Sequence, residues 1–268
     1  MPVRFSRLLK KASLAGAFFM SAIWLPAAQA LCRTSSALPV VQVQRVVDGD
    51  TLRLSDGRSV RMIGLNTPET SKKGQSAQPF AEEAKRRLQA LVNASDGQVS
   101  LRVGEDPADH YGRTLANVYG RDGANLEAQL LAEGLGYLVA VSPNVALVSC
   151  QQAAEKSARQ AGLGLWRNSP VQPVEQIRSG GFALVSGRVT NVQRNGGGVW
   201  IEFGDTLVLR IAPKLVGQFD GALLKRLKGQ QLEARGWIVD RSRRGGLKAG
   251  QPRWMMPITH PSMLNAAP

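Results

Sequence analysis

The sequence predicts a mainly β chain with helices (α+β): a five-stranded OB-type β-barrel with helices, followed by a second, OB-like β-barrel. Three observations lead there. Five short apolar segments with helical stretches among them fill the region up to about residue 160, a Pro-rich stretch Ser169-Pro170-Val171-Gln172-Pro173 follows, and beyond it comes a second run of strands in the order β-β-β-α-β-β.

Residues 40–47 form the first expected strand, which ends in the turn Asp48-Gly49-Asp50-Thr51. Leu52 and Leu54 alternate along the next strand, Asp56-Gly57 turns the chain, and Val60, Met62 and Leu65 return. An amphipathic helix is expected over 79–91, with Phe80, Ala84, Leu88 and Leu91 on one face and Lys85, Arg86 and Arg87 on a solvated one. Residues 98–103 and 114–119 supply two more strands. Residues 125–133 and 149–161 read as helices stopped by Gly134 and Gly162. In the second half, residues 183–192, 199–203, 206–211, 231–239 and 254–258 read as strands. Asn195-Gly196-Gly197-Gly198 and Gly204-Asp205 form turns, and a short helix falls near 223–227.

The N-terminus has a different character. Arg4, Arg7, Lys10 and Lys11 precede an apolar run over 12–25, and Ala28-Gln29-Ala30 fits small-x-small cleavage. Residues 1–30 are therefore expected to be a signal peptide cleaved after Ala30, which places the protein in the periplasm or outside the cell; the alternative is a retained anchor. The expected organisation is 1–30 signal peptide, 31–168 first domain, 169–180 linker and 181–268 second domain.

Cys32 and Cys150 are the only cysteines. They suit one disulfide in an oxidising compartment, with two free thiols as the alternative, and they are too few for a structural zinc site. No later apolar run approaches membrane length. Charge is uneven: residues 31–179 hold 17 basic and 15 acidic side chains, whereas residues 180–268 hold 13 and 5. The polyanion-binding signal thus lies in the second half. There, Arg241, Arg243, Arg244 and Lys248 cluster in a loop between Trp237 and Trp254, a pattern suited to single-stranded nucleic acid unless the tryptophans fill the core. No second Asp, Glu and Arg constellation occurs in this half, so no catalysis is expected of it.

The first hairpin carries the chemistry. Asp50, Arg61 and Glu69 can converge at one end of a small sheet, bringing together a carboxylate for a hard cation, a guanidinium for a phosphate and a carboxylate to activate water.

Asp48-Gly49-Asp50-Thr51, the stretch from Arg61 to Glu69, and Asp109-His110-Tyr111-Gly112-Arg113, together with a late Gly-Leu-Gly-Leu-Trp at 162–166, resemble the staphylococcal (micrococcal) nuclease family, thermonuclease type, over about residues 40–168. The resemblance implies an OB-fold phosphodiesterase that uses calcium to cleave DNA and RNA, leaving 3′-phosphate ends. By position, Asp50 matches a metal-binding carboxylate and Thr67 a residue offering its backbone carbonyl. Asn66 stands where a second aspartate is usual, which removes a negative charge and implies weaker or altered calcium affinity. Glu69 matches the carboxylate that orients or deprotonates the attacking water, Arg61 and Arg113 the phosphate-binding arginines, and His110 with Tyr111 the contacts to a terminal phosphate. The stretch Val139-Ala140-Val141-Ser142 lies where base-stacking aromatics are expected. The expected function is a secreted or periplasmic, calcium-dependent nuclease acting on DNA or RNA. The alternative is a catalytically weak or inactive nucleic-acid-binding protein that uses two OB-like domains.

Overall fold

The computed structural model describes residues 32–71, 74, 76–244, 247 and 250–266; the expected signal segment and Lys248 lie outside the described residues. The first half is built from β1 (Val40–Asp48), β2 (Thr51–Leu54), β3 (Ser59–Met62), β4 (Leu65–Asn66), α1 (Ala81–Asn93), β5 (Gln98–Ala108), β6 (Thr114–Tyr119), α2 (Leu126–Ala132), β7 (Tyr137–Leu138) and α3 (Val148–Gln160). Five of the strands close into a barrel in the order β1-β2-β3-β6-β5. The closing pair β1–β5 is antiparallel and β3 runs parallel to β6, with Arg61 opposite Leu115.

Alternation explains the barrel. Leu52, Leu54, Val60, Met62, Val99, Leu101, Ala116 and Val118 all face a buried interior. Helix α1 lays Ala84, Leu88 and Leu91 on it. Helix α2 begins where Asn125 accepts the Ala128 N–H at 3.0 Å. Behind that cap, Glu127 is fully buried and accepts the Val118 N–H at 2.9 Å. Burial pushes its carboxyl up to about 8, against the hydrogen bonds and the Arg61 charge that favour ionisation.

The second half comprises β8 (Val171–Pro173), β9 (Gly181–Arg188), β10 (Asn191–Asn195), β11 (Gly198–Phe203), β12 (Leu207–Ile211), α4 (Gly221–Arg226), β13 (Gln231–Asp240), β14 (Trp254–Ile258) and β15 (Leu264–Ala266). They form one eight-stranded sheet, ordered β10-β11-β12-β14-β13-β9-β8 with β15 on β13. This corrects the expectation of a second closed barrel. The single strand expected over 183–192 breaks at Val189-Thr190: Val189 exchanges backbone hydrogen bonds with Gln230 and Gly229, while Thr190 donates to the Glu202 carbonyl. The chain changes partner there, β9 pairing with β13 and β10 with β11, so the sheet stays open. Its pairing order nevertheless repeats that of the barrel, down to the parallel pair β12–β14. The Pro-rich stretch expected as a linker is also structured, because Val171–Pro173 pairs parallel with β9.

A buried ion network locks the halves together. Arg235 on β13 reaches Glu155 of α3 at 2.6 Å and Glu233 at 3.7 Å, and Arg159 of α3 reaches Glu233 at 2.7 Å. Glu155 also accepts the Leu138 N–H at 2.7 Å. The Thr259 hydroxyl donates to the Ala140 carbonyl at 2.6 Å. Cys32 and Cys150 form a disulfide across 118 residues, tying the start of the described chain to α3. Among the described residues no helix is long and apolar enough to cross a membrane.

Candidate active site

The β1–β2 hairpin needs only Gly49 and Asp50 to turn, since Asp48 pairs with Thr51. Gly49 is required by closeness: a Cβ there would lie 2.7 Å from Ala84 Cβ and 2.8 Å from Thr67 Cγ2. The turn drives Asp50 inward, where it is 6% exposed. One carboxylate oxygen accepts the Thr67 N–H at 2.9 Å and faces Arg61 Nη1 at 2.8 Å; the other accepts from the Thr51 hydroxyl at 3.1 Å. Arg61 lies opposite Thr51 in the β2–β3 ladder, so the hairpin register itself sets that ion pair. Its Nη2 donates to Asn66 Oδ1 at 3.1 Å. Asp50, Arg61, Asn66 and Thr67 are thus one connected cluster.

Asp48 belongs to the same cluster, although its place was not singled out from the sequence. Its Oδ1 accepts the Asp50 N–H at 3.2 Å. Burial first, and then the neighbouring Asp50 charge, raise its carboxyl to about 6. The available signal was the Asp-Gly-Asp spacing, which brings two carboxylates to one tight turn.

Glu69 is exposed, and its backbone is clamped: its N–H donates to Gln78 Oε1 at 2.9 Å and its carbonyl accepts the Gln78 N–H at 3.0 Å. It lines a cleft of about 530 Å³ with Asn66, Thr67, Tyr137, Phe182 and Trp237. An adjoining pocket of about 280 Å³ holds Arg61, Asp109, His110 and Arg113, again with Trp237. Arg113 is positioned by Asp109, Nε to Oδ2 at 2.7 Å, while Asp109 Oδ1 accepts the Tyr111 and Arg113 N–H groups at 2.9 and 3.0 Å. Burial pushes the Asp109 carboxyl up, but the hydrogen bonds from Arg113 and Tyr111 outweigh it and hold the group below its ordinary value. Tyr111 is 73% exposed and does not line either cleft; its ring lies 3.7 Å from that of His110 and 5.4 Å from the Arg113 guanidinium.

Among the described residues of the basic loop, Arg241 and Arg243 line neither cleft. Arg241 donates to the Pro252 carbonyl at 3.0 Å and to Gln251 Oε1 at 3.1 Å. Arg243 approaches Asp240 only to 3.9 Å, and the Arg244 side chain lies outside the described residues. The two tryptophans flanking that loop have opposite fates: Trp254 is buried at 6% and Trp237 stands 41% exposed.

No group of three or more His, Cys, Asp or Glu side chains occurs among the described residues at metal-binding spacing. The oxygens of Asp50, Asn66 and the Thr67 carbonyl are hard donors whose chemistry fits calcium.

The sequence profile of the family described as Staphylococcal nuclease homologue matches residues 59–168. Endonuclease YncB of Bacillus subtilis (strain 168) is 36% identical over 133 residues, 48% of this chain and 62% of that protein. The SPbeta prophage-derived endonuclease YokF of the same strain is 37% identical over 130 residues, 47% of this chain and 43% of that protein. The chain therefore spans less than two thirds of either relative. Thermonuclease of Staphylococcus intermedius is 35% identical over 127 residues, 46% of this chain and 74% of that protein.

Proposed function

The chain belongs to the staphylococcal nuclease family, and from that premise we propose that its first half hydrolyses phosphodiester bonds of DNA or RNA with calcium bound, outside the cytoplasm. The observation that carries this reading is the Asp50–Arg61–Asn66–Thr67 cluster, which opens toward Glu69 on one side and shares a pocket with Arg113 on the other.

Calcium would be held by Asp50, Asn66 and the Thr67 carbonyl, and when bound it supplies Lewis-acid stabilisation of charge on a phosphoryl oxygen. The Glu69 carboxylate orients the attacking water and accepts its proton. Arg61 and Arg113 present planar guanidinium donors to the non-bridging oxygens, where negative charge grows in the transition state. Asp109 keeps Arg113 aimed, and Arg113 also stabilises the leaving oxygen. His110 and Tyr111, beyond Arg113, contact a terminal phosphate. The second half, with its excess of basic residues and a pairing order that repeats the first barrel, acts as an OB-like domain. Arg241, Arg243 and Arg244 there contribute long-range attraction to the polyanion. The Cys32–Cys150 bridge and the basic-apolar N-terminus favour a periplasmic or secreted protein.

The test is cleavage of single-stranded DNA by the purified protein with calcium or with chelator, alongside Glu69→Gln. Calcium-dependent cleavage that falls roughly 10²- to 10⁴-fold in the variant is expected. Cleavage indifferent to both chelator and substitution would overturn the mechanism. Binding without any cleavage would favour the alternative, a nucleic-acid-binding protein that lacks turnover.

A further inference from the structure

The pocket holding both arginines is not walled by the first half alone. Trp237, from β13 of the second half, lines the Arg61–Arg113 pocket and the Glu69 cleft together. Its exposure is out of character for its strand, in which residues 232–236 and Ile238 are all buried. An indole kept 41% open between the arginine-lined pocket and the Glu69 cleft does little for the core.

Its placement is fixed from two sides. Phe182, its partner across the β9–β13 ladder, meets it edge-on at 5.2 Å and continues to Tyr137 at 5.6 Å. Two residues before it on the same strand face, Arg235 is locked to Glu155. The ring is thus held rigidly beside the phosphate-binding arginines, and a rigid exposed ring offers a face to any unpaired base whatever its identity.

We propose that Trp237 is a base-stacking platform by which the second half holds a nucleobase adjacent to the scissile phosphate, making an unpaired base the favoured occupant. The proposal rests on the phosphodiesterase reading above for the position of that phosphate. A base in a duplex is already stacked on its neighbours and must leave them to reach the ring, so single strands bind in preference to duplexes.

The experiment measures binding of a short single-stranded oligodeoxynucleotide, and of the same backbone made abasic, to the full-length Glu69→Gln protein with calcium. The same chain carrying Trp237→Leu or Trp237→Phe is measured beside it. The leucine change should weaken binding of the natural strand roughly tenfold and leave the abasic strand unaffected. The phenylalanine change should keep most of the affinity while abolishing the part of the fluorescence quenching that comes from the indole, a readout that survives even if the leucine variant folds poorly. Equal affinities for the natural strand across all three, or unchanged quenching in Trp237→Phe, would overturn the platform. Cleavage by the wild-type chain is followed in parallel. Trp237-dependent binding without cleavage would sink the hydrolase reading and support the platform, and cleavage with Trp237-independent binding would do the reverse.

Discussion

Arg61 holds the Asp50 carboxylate at 2.8 Å while its second terminal nitrogen donates to Asn66, so a single guanidinium spans the two side chains proposed to hold the cation. Restoring a carboxylate at position 66 adds a negative charge to the oxygen set. Asn66→Asp should tighten calcium binding roughly tenfold or more, as measured by calorimetry. Unchanged affinity would remove position 66 from the cation site.

Because Arg61 uses both arms of its fork, a lysine cannot replace it. Arg61→Lys should lower kcat by about 10²-fold or more with the fold intact by circular dichroism. Near-normal turnover in that variant would show that a point charge suffices and that the bidentate role is wrong.

The Arg235 network should dominate the stability of the docked halves. Arg235→Met leaves the buried Glu155 without its cation while Glu233 keeps Arg159, and removal of one partner from such a buried set costs about 3–5 kcal/mol. Urea denaturation should show that loss. A change under about 0.5 kcal/mol would mean that the network does not hold the halves together.

Glu127 gives stability a pH dependence. Its folded-state value of about 8 lies above the ordinary carboxylate range, so the folded chain retains a proton that the unfolded chain releases. Its contribution is fully present below about pH 4.5 and is lost as pH rises through about 8. Relative to Glu127→Gln, the parent should therefore weaken between pH 5 and pH 8.5, on the order of a few kcal/mol. Parallel stability curves for the two proteins would contradict the buried neutral acid.

The disulfide closes a loop long enough to matter in the unfolded chain. Cys32→Ser with Cys150→Ser should lower stability by up to about 4–5 kcal/mol in the chain-entropy account, with cleavage of a short substrate retained wherever the protein is folded. Equal denaturation midpoints would show that the constraint is idle.

The first barrel was legible because its alternation is clean: Leu52, Leu54, Val60 and Met62 recur at every second position of the two expected strands, and all four are buried. The Asp50–Arg61 pairing was equally accessible, since a two-residue turn and the next hairpin fix which residues face each other. The second half was harder because its decisive events are long-range. Val189 is apolar and buried, so the sequence pattern runs smoothly through the point where the backbone changes partners. The stretch around Pro170 and Pro173 has a linker's composition, and only its parallel pairing with β9 reveals a strand. Trp237 and Trp254 look equivalent as aromatics beside a basic loop. Most of β13 is buried on both faces, which deprives alternation of its power to say which ring would be left outside.

Arg235 and Trp237 sit two residues apart on one strand, which constrains how the two halves can be engineered. The strand that locks onto α3 also walls the cleft, so neither half can be exchanged for a foreign counterpart without altering the other's surface. A grafted nuclease barrel would bring the Asp50 cluster but lose a wall, and a deletion that begins near residue 180 would strand the Glu155 carboxylate at a newly opened face. A change at Glu155, Glu233 or Arg159 therefore reaches the wall of the cleft through β13, and the two halves have to be altered together.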